Sequence, residues 1–223
     1  MDWDDTQSDT DWAPDPPEGY DQYDPLFVQP WYVTVLLGLW AVGAVVGVPL
    51  LVVVIKGLDT TLTVYKEVLL PTSFVGIVIY FGWIAATLIA MLGLHELVHA
   101  VTARALGYKT EFSIEKYLIG GWTPQVITYG RFESRFESIV VTLAPLLVIT
   151  PVSVGTLIVA DSSWAIATAA YVTLGNLAGS VADLATVWLV TQLPSGAFLY
   201  HDRAGRSQYY TPIEQTADTN DES

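Results

Sequence analysis

The chain has 223 residues, no cysteine and a formal net charge of −14. It is 52% hydrophobic with only 14% charged residues, a composition typical of a membrane protein rather than a soluble domain. The absence of cysteine excludes disulfides and thiolate ligands, and the shortage of basic residues argues against nucleic acid as a partner. The acid-rich exposed segments suit a high-salt cytoplasm, as in a halophilic host.

The two ends of the chain differ in composition from its middle. Residues 1–30 contain many acids, no lysine or arginine and no signal-peptide pattern, and they predict a disordered acidic tail. Residues 194–223 predict a second polar tail of the same kind. Between them, residues 31–193 predict an all-α integral membrane domain of about four transmembrane helices. The predicted spans cover about residues 31–55, 74–106, 138–160 and 164–193.

The segment at residues 108–130 separates the second and third spans. Polar and apolar residues alternate over residues 112–115, and residues 125–129 have the composition of a strand. Two adjacent glycines, Gly120 and Gly121, lie between them and favour a turn. The sequence therefore predicts a small hairpin next to the membrane domain.

The second apolar run ends in the sequence His95-Glu96-Leu97-Val98-His99. Two histidines four apart on a helix share one face and can hold one zinc ion, while Glu96 is placed to activate the attacking water. At about 1.5 Å per residue, His95 lies roughly 30 Å along the helix from Phe74, near the far membrane boundary. The alternative is a polar cluster that joins helices or pairs with a cation.

A second polar group lies on the fourth span. Asn176, Ser180 and Asp183 are spaced by four and by three residues, which puts them in one stripe of the helix. Asp183 lies about 29 Å from the turn at residues 161–163, a depth close to that of His95. It is therefore a natural third zinc ligand. The alternative is that Asp183 bonds to Asn176 or Ser180 and packs helices.

The basic residues indicate an orientation. With the N-terminus inside, most lysines and arginines fall on the inner side, and only Lys56 and Lys66 fall outside. This predicts a multi-pass protein of the cell membrane with cytoplasmic N- and C-termini, a cytoplasmic hairpin and a metal site near the cytoplasmic face. His201, in the polar tail, is interpreted as an ordinary surface histidine.

His95, Glu96 and His99 at the end of one membrane helix, with Asn176 and Asp183 on a later one, resemble the site-2 protease class of intramembrane metalloproteases. The resemblance implies Zn²⁺ held by His95, His99 and Asp183. It further implies Glu96 as the general base and Asn176 as an assisting polar group.

The surrounding sequence, including Leu143-Ala144-Pro145, is more similar to a little-characterised group of membrane zincins related to that class. The resemblance covers about residues 70–190. In the site-2 protease class, a strand-like segment can receive the substrate as an added strand, which would give residues 108–130 a role. The chain departs from that class at Leu177 and Leu184, where proline and glycine are usual, and it has no inserted PDZ-like domain.

These features predict an intramembrane zinc metalloprotease that acts on a membrane protein or peptide within the lipid bilayer. The alternative is a non-enzymatic membrane protein that binds a metal or serves as a scaffold with a degenerate site. Glu96 discriminates between the two, because metal binding does not require it and hydrolysis does. The sequence does not indicate an oligomeric state.

Overall fold

The computed structural model describes residues 13–23, 31–116, 122–203 and 205–213. Most of these residues are helical, and four helices among them are long and apolar enough to cross a membrane. The helices are α1 (Trp31–Lys56), a short α2 (Leu58–Val64) followed by a π-helical turn (Tyr65–Leu69), α3 (Phe74–Ala105), α4 (Arg135–Val159) and α5 (Ser163–Gln192).

The prediction of four apolar helices is confirmed, and the helix ends have local causes. Ser73 and Ser162 accept hydrogen bonds from backbone N–H groups in the first turns of α3 and α5. Ser134 and Glu137 form a reciprocal capping box, which explains why α4 begins three residues before the predicted span. Gly107 follows α3 with a φ of 90°, a conformation that glycine adopts without strain.

Helix α5 lies at the centre of the bundle, where it packs against α1, α3 and α4. One apolar cluster joins Val52 of α1, Leu157 of α4 and Ile166 of α5 near the turn between α4 and α5. The outward faces carry large apolar side chains that are well exposed, such as Val54 at 81% and Ile89 at 72%. An exposed apolar surface of this extent is compatible with a lipid environment.

The predicted hairpin is present as two antiparallel strands, β2 (Lys109–Lys116) and β3 (Trp122–Tyr129). Lys109 pairs with Tyr129 at its base and Phe112 pairs with Val126 further along. The break predicted at Gly120 and Gly121 lies outside the described residues. Because β2 follows α3 directly, the hairpin lies at the end of α3 that carries the histidines.

The structure also contains a four-stranded antiparallel sheet in the order β1-β6-β5-β4, which the sequence did not predict. Its strands are β1 (Tyr20–Tyr23), β4 (Glu133–Ser134), β5 (Phe198–His201) and β6 (Ser207–Pro212). Strand β4 immediately precedes α4, and β5 follows α5 after a short turn. The sheet therefore covers the same end of the bundle as the hairpin.

The structure is mostly helical, and the predicted hairpin is present, but the all-α prediction is wrong because of the four-stranded sheet. The prediction of disordered tails is wrong at β1, β5 and β6. Leu199 and Tyr210 are 2% and 0% exposed, so the C-terminal segment has its own apolar core. It packs on Val190 and Leu193 at the end of α5. The predicted disorder of residues 1–12, 24–30 and 214–223 lies outside the described residues.

Candidate metal centre

His95 is held in a defined orientation by Asn176. The Asn176 amide nitrogen donates to the Pro145 carbonyl oxygen at 3.1 Å and to Thr150 Oγ1 at 2.9 Å. A carbonyl can only accept, so the Asn176 amide oxygen must face His95 Nδ1, which is 2.9 Å away. Nδ1 therefore carries the proton, and the lone pair of Nε2 is free to bind a ligand.

His99 has the same tautomer for a different reason. Its Nδ1 lies 2.9 Å from the backbone carbonyl oxygen of Val141 on α4, which can only accept a hydrogen bond. His99 Nδ1 is therefore the donor, and its Nε2 is left with a free lone pair. Both histidines thus have the form of metal-binding imidazoles that are oriented by hydrogen bonds on the opposite nitrogen.

Asp183 of α5 faces both imidazoles. Its Oδ2 lies 3.2 Å from His95 Nε2 and its Oδ1 lies 3.4 Å from His99 Nε2. When both imidazoles are neutral, as metal ligands must be, each contact brings a lone pair of nitrogen against a carboxylate oxygen. Oδ2 is buried and has no hydrogen-bond partner among the described residues. A shared cation would stabilise these two nitrogens and two carboxylate oxygens together.

The three side chains fit a divalent metal ion. Their ligand atoms all lie within 4.8 Å of one another. Ligands about 2.0–2.1 Å from a tetrahedral zinc ion are about 3.3–3.4 Å apart, close to the two separations between imidazole nitrogen and carboxylate oxygen. Two imidazoles and one carboxylate also form a donor set that zinc accepts. His95, His99 and Asp183 therefore form a group that can hold a metal ion.

The polar stripe on α5 is buried, and Asn176 and Ser180 are both fully enclosed. The Ser180 hydroxyl donates its hydrogen bond to the backbone carbonyl oxygen of Asn176 rather than to a histidine. Gly175 allows α3 to approach closely, whereas Gly179 leaves ordinary van der Waals space beside His95. A Cβ at Gly175 would lie 2.7 Å from Met91 Cε, and one at Gly179 would lie 3.8 Å from His95 Cε1.

Glu96 lies between the two histidines in sequence and faces the cavity. The backbone N–H of Val126 in β3 donates a hydrogen bond to its carboxylate. This contact ties the hairpin to the helix that carries the histidines. Glu96 is partly exposed and does not belong to the group of three ligands.

The centre opens into a cavity of about 520 Å³. Helices α3, α4 and α5 supply one part of its lining, and β3, β4, β5, β6 and the turn at Gly205 supply the rest. Four consecutive residues of β3, Gln125 to Thr128, line this cavity. Because side chains alternate along a strand, this indicates that an edge of β3, rather than one face, borders the cavity.

Glu133 and His201 also line this cavity, and the sequence analysis missed both. Glu133 is only 4% exposed, and its Oε2 lies 3.6 Å from His201 Nε2. The interpretation of His201 as an ordinary surface histidine is therefore wrong. The alternation of apolar and polar residues around the turn at Gly205 could have indicated a β-hairpin in this region, and with it a fixed position for His201.

Burial shifts the pKa values of both Glu133 and His201. Burial raises the pKa of the Glu133 carboxyl to about 7, although hydrogen bonds from Ser138 and Thr128 act in the opposite direction. Burial also lowers the pKa of His201, so its imidazole is neutral at neutral pH. Neither residue was identified from the sequence, because their proximity depends on the pairing of β4 with β5.

The fold and site thus define a bundle of apolar helices with a group of residues that can hold a metal ion at one end. Residues 88–198 match a family model described as "Putative zincin peptidase", and this match supports a zincin-like family. The matched region contains both histidines, Glu96, Asn176 and Asp183. No curated protein and no solved structure matches the chain.

Proposed function

We propose that this protein is an intramembrane zinc metalloprotease, related to the site-2 protease class, that cleaves membrane-associated substrates near the cytoplasmic face. The observation that carries this proposal is the meeting of His95, His99 and Asp183 beside Glu96 at the wall of an open cavity. A scaffold protein needs neither the carboxylate next to the ligands nor the space in front of it.

The residues have distinct roles in this proposal. His95, His99 and Asp183 would hold the zinc ion, which would supply a Lewis acid for the scissile carbonyl and the attacking water. Glu96 accepts the proton of the attacking water and passes it to the leaving amine. Asn176 fixes the imidazole of His95 and so acts as a positioning residue.

Strand β3 is the proposed contact for the peptide backbone of the substrate. One of its edges pairs with β2, and the other borders the cavity that contains the metal centre. An extended peptide added along this free edge would run past Glu96, since Val126 contacts that side chain. Main-chain pairing of this kind requires the substrate to be unwound locally before cleavage.

The proposal is tested with a Glu96→Gln variant reconstituted in liposomes beside the wild type. Each is incubated with a set of transmembrane peptides, and products are identified by mass spectrometry. We expect zinc-dependent cleavage by the wild type and none by Glu96→Gln, with equal zinc content in both, because glutamine cannot accept the proton. Asp161→Asn, a matched change in the turn between α4 and α5, should cleave normally.

Normal cleavage by Glu96→Gln would show that the assigned base is wrong. Zinc in both proteins without cleavage of any peptide would favour the alternative of a non-enzymatic metal-binding or scaffold protein.

A further inference from the structure

The cavity contains a second group of polar side chains that the proposed reaction does not use. Glu133 and His201 line it together with Ser207 and Thr128. They come from β4, β5, β6 and β3, whereas the metal-binding group comes from α3 and α5. Glu133 hydrogen bonds to Ser138 at the start of α4, one helical turn before the residue whose carbonyl orients His99. The two groups therefore share one cavity.

Glu133 is a buried carboxylate that forms no ion pair with a lysine or arginine among the described residues, although Arg131 is close enough to act on it electrostatically. Within the same part of the chain, its contact with His201 measures 3.6 Å, which is too long for a hydrogen bond. His201 Nδ1 is already bonded to Ser207 Oγ at 2.8 Å. The guanidinium of Arg131 is engaged by Glu137 at 2.8 Å and by the Leu106 carbonyl oxygen.

A carboxylate that is 4% exposed and forms no ion pair with a lysine or arginine among the described residues is costly in free energy. The cost is removed either by a proton or by a cationic ligand that enters the cavity. The hydroxyls of Ser138 and Thr128 donate hydrogen bonds to the carboxylate from the protein side, and the imidazole of His201 lies beside it. The volume of the cavity, about 520 Å³, falls within the range of ligand-binding pockets, roughly 300–1,000 Å³.

The geometry points to Glu133, oriented beside His201, as a subsite that binds the ammonium or guanidinium group of a lysine or arginine in the substrate. This inference rests on the proposed function, because it names the class of peptide that the same cavity takes. The basic side chain contacts the Glu133 carboxylate while the neighbouring backbone lies along β3. Such a charged contact, formed away from water, favours basic over neutral residues at one position of the substrate.

The test compares short apolar peptides that differ at one central position, which is lysine, norleucine or glutamate. Fluorescence anisotropy measures their binding to the zinc-loaded full chain carrying Glu96→Gln, which prevents cleavage. We expect the lysine peptide to bind about 10-fold or more tightly than the norleucine peptide, since a hydrogen bond between two charged groups is stronger than one between neutral groups. The glutamate peptide should bind most weakly of the three.

Adding Glu133→Gln should reduce the preference for lysine to less than about 3-fold, because the neutral amide no longer attracts the ammonium group. Adding Asp161→Asn, the same change outside the cavity, should leave the preference intact. Zinc content is measured on every preparation, and Glu133→Gln should retain it. The three peptides also test the inference without any change at Glu133.

Equal binding of the lysine and norleucine peptides, including no binding of either, would overturn the inference while leaving the metal centre in place. Loss of zinc in Glu133→Gln would also overturn it, because Glu133 would then belong to the metal site. A lysine preference in a chain that binds no zinc would support the subsite and contradict the proposed metalloprotease.

Discussion

The two histidines of the metal centre show how single residues determine the chemistry of the site. Each donates Nδ1–H to an oxygen, from Asn176 in one case and from the Val141 backbone in the other. Both Nε2 atoms are thereby directed at Asp183, and in the neutral imidazoles they carry lone pairs that can bind a metal. The ligands are thus pre-oriented, so that binding a metal requires little rearrangement of their side chains.

Glu133 gives a pH dependence of stability. Burial raises its pKa from 4.5 to about 7, so the folded state binds its proton more tightly than the unfolded state does. The raised pKa of Glu133 therefore contributes stability to the folded state. This contribution is greatest at acidic pH and is lost as the pH rises through 7, by about 3 kcal/mol in total. We expect Glu133→Gln to raise the thermal midpoint in detergent by several degrees at pH 8 and to have little effect at pH 5.

Thermal unfolding of both proteins across this pH range checks the expectation. If the difference in stability between the wild type and Glu133→Gln stays constant with pH, the Glu133 carboxyl has the same pKa in the folded and unfolded states.

At this scale, the sequence was sufficient to select His95, Glu96, His99 and Asp183 as candidates. Once the helices are assigned, the spacing of these residues and their depth in apolar segments predict that they lie close together. The structure places the two histidines and the aspartate in one group. Glu133 could not be selected in this way. Its burial follows from the pairing of Glu133 with Leu199 across β4 and β5, a contact between distant parts of the chain.

At the scale of secondary-structure elements, Asn176 joins three helices of the bundle. From α5 it bonds to His95 on α3 and to Pro145 and Thr150 on α4. Pro145 lies within α4 without ending that helix, and its carbonyl accepts the Asn176 amide. The same side chain therefore contributes to helix packing and to the orientation of a proposed ligand.

We expect Asn176→Ala to destabilise the bundle by about 2–4 kcal/mol, because it leaves buried polar groups on α3 and α4 unpaired. It should also weaken zinc affinity by about 10–100-fold, because the tautomer and orientation of His95 are no longer fixed. Zinc titration and thermal unfolding of the purified variant measure the two effects separately.

Thr173→Val provides the matched control. Thr173 on α5 shares a buried hydrogen bond of 2.8 Å with Ser153 on α4 and does not contact His95. The control should lose stability and keep its zinc affinity. Equal losses of zinc affinity in both variants would mean that Asn176 acts only through packing.

The long helices could be predicted from the sequence because their apolar runs are uninterrupted and their caps are local. The four-stranded sheet could not, since its strands are short and come from both ends of the chain: Tyr20 pairs with Pro212, and Glu133 pairs with Leu199. A polar composition at the ends of the chain indicated disorder there. The buried aromatic and apolar residues of β5 and β6 are too few to change the polar composition of that segment, so composition alone did not reveal these strands.

At the scale of the whole molecule, the proposed orientation places the hairpin, the sheet and the metal centre on the cytoplasmic side. The natural chain contains no cysteine, so a single introduced cysteine reports one position without background. On intact cells, a membrane-impermeant maleimide should label Asp161→Cys in the turn between α4 and α5. It should label Ser195→Cys, in the exposed turn before β5, only after permeabilisation.

The reverse labelling pattern would place the site on the external side and contradict the orientation derived from the basic residues. Labelling of both positions on intact cells would contradict the assignment of α5 as a membrane-crossing helix.

The central claim is that two distant segments of the chain form one zinc centre, and the metal content of the detergent-purified protein tests it most directly. Wild type is measured beside His95→Ala and Asp183→Ala, which remove one ligand from α3 and one from α5. We expect about one zinc per chain in the wild type and its loss in both variants. A folded wild type that binds no zinc after supplementation would contradict the proposed zinc centre and leave a polar cluster that only packs helices.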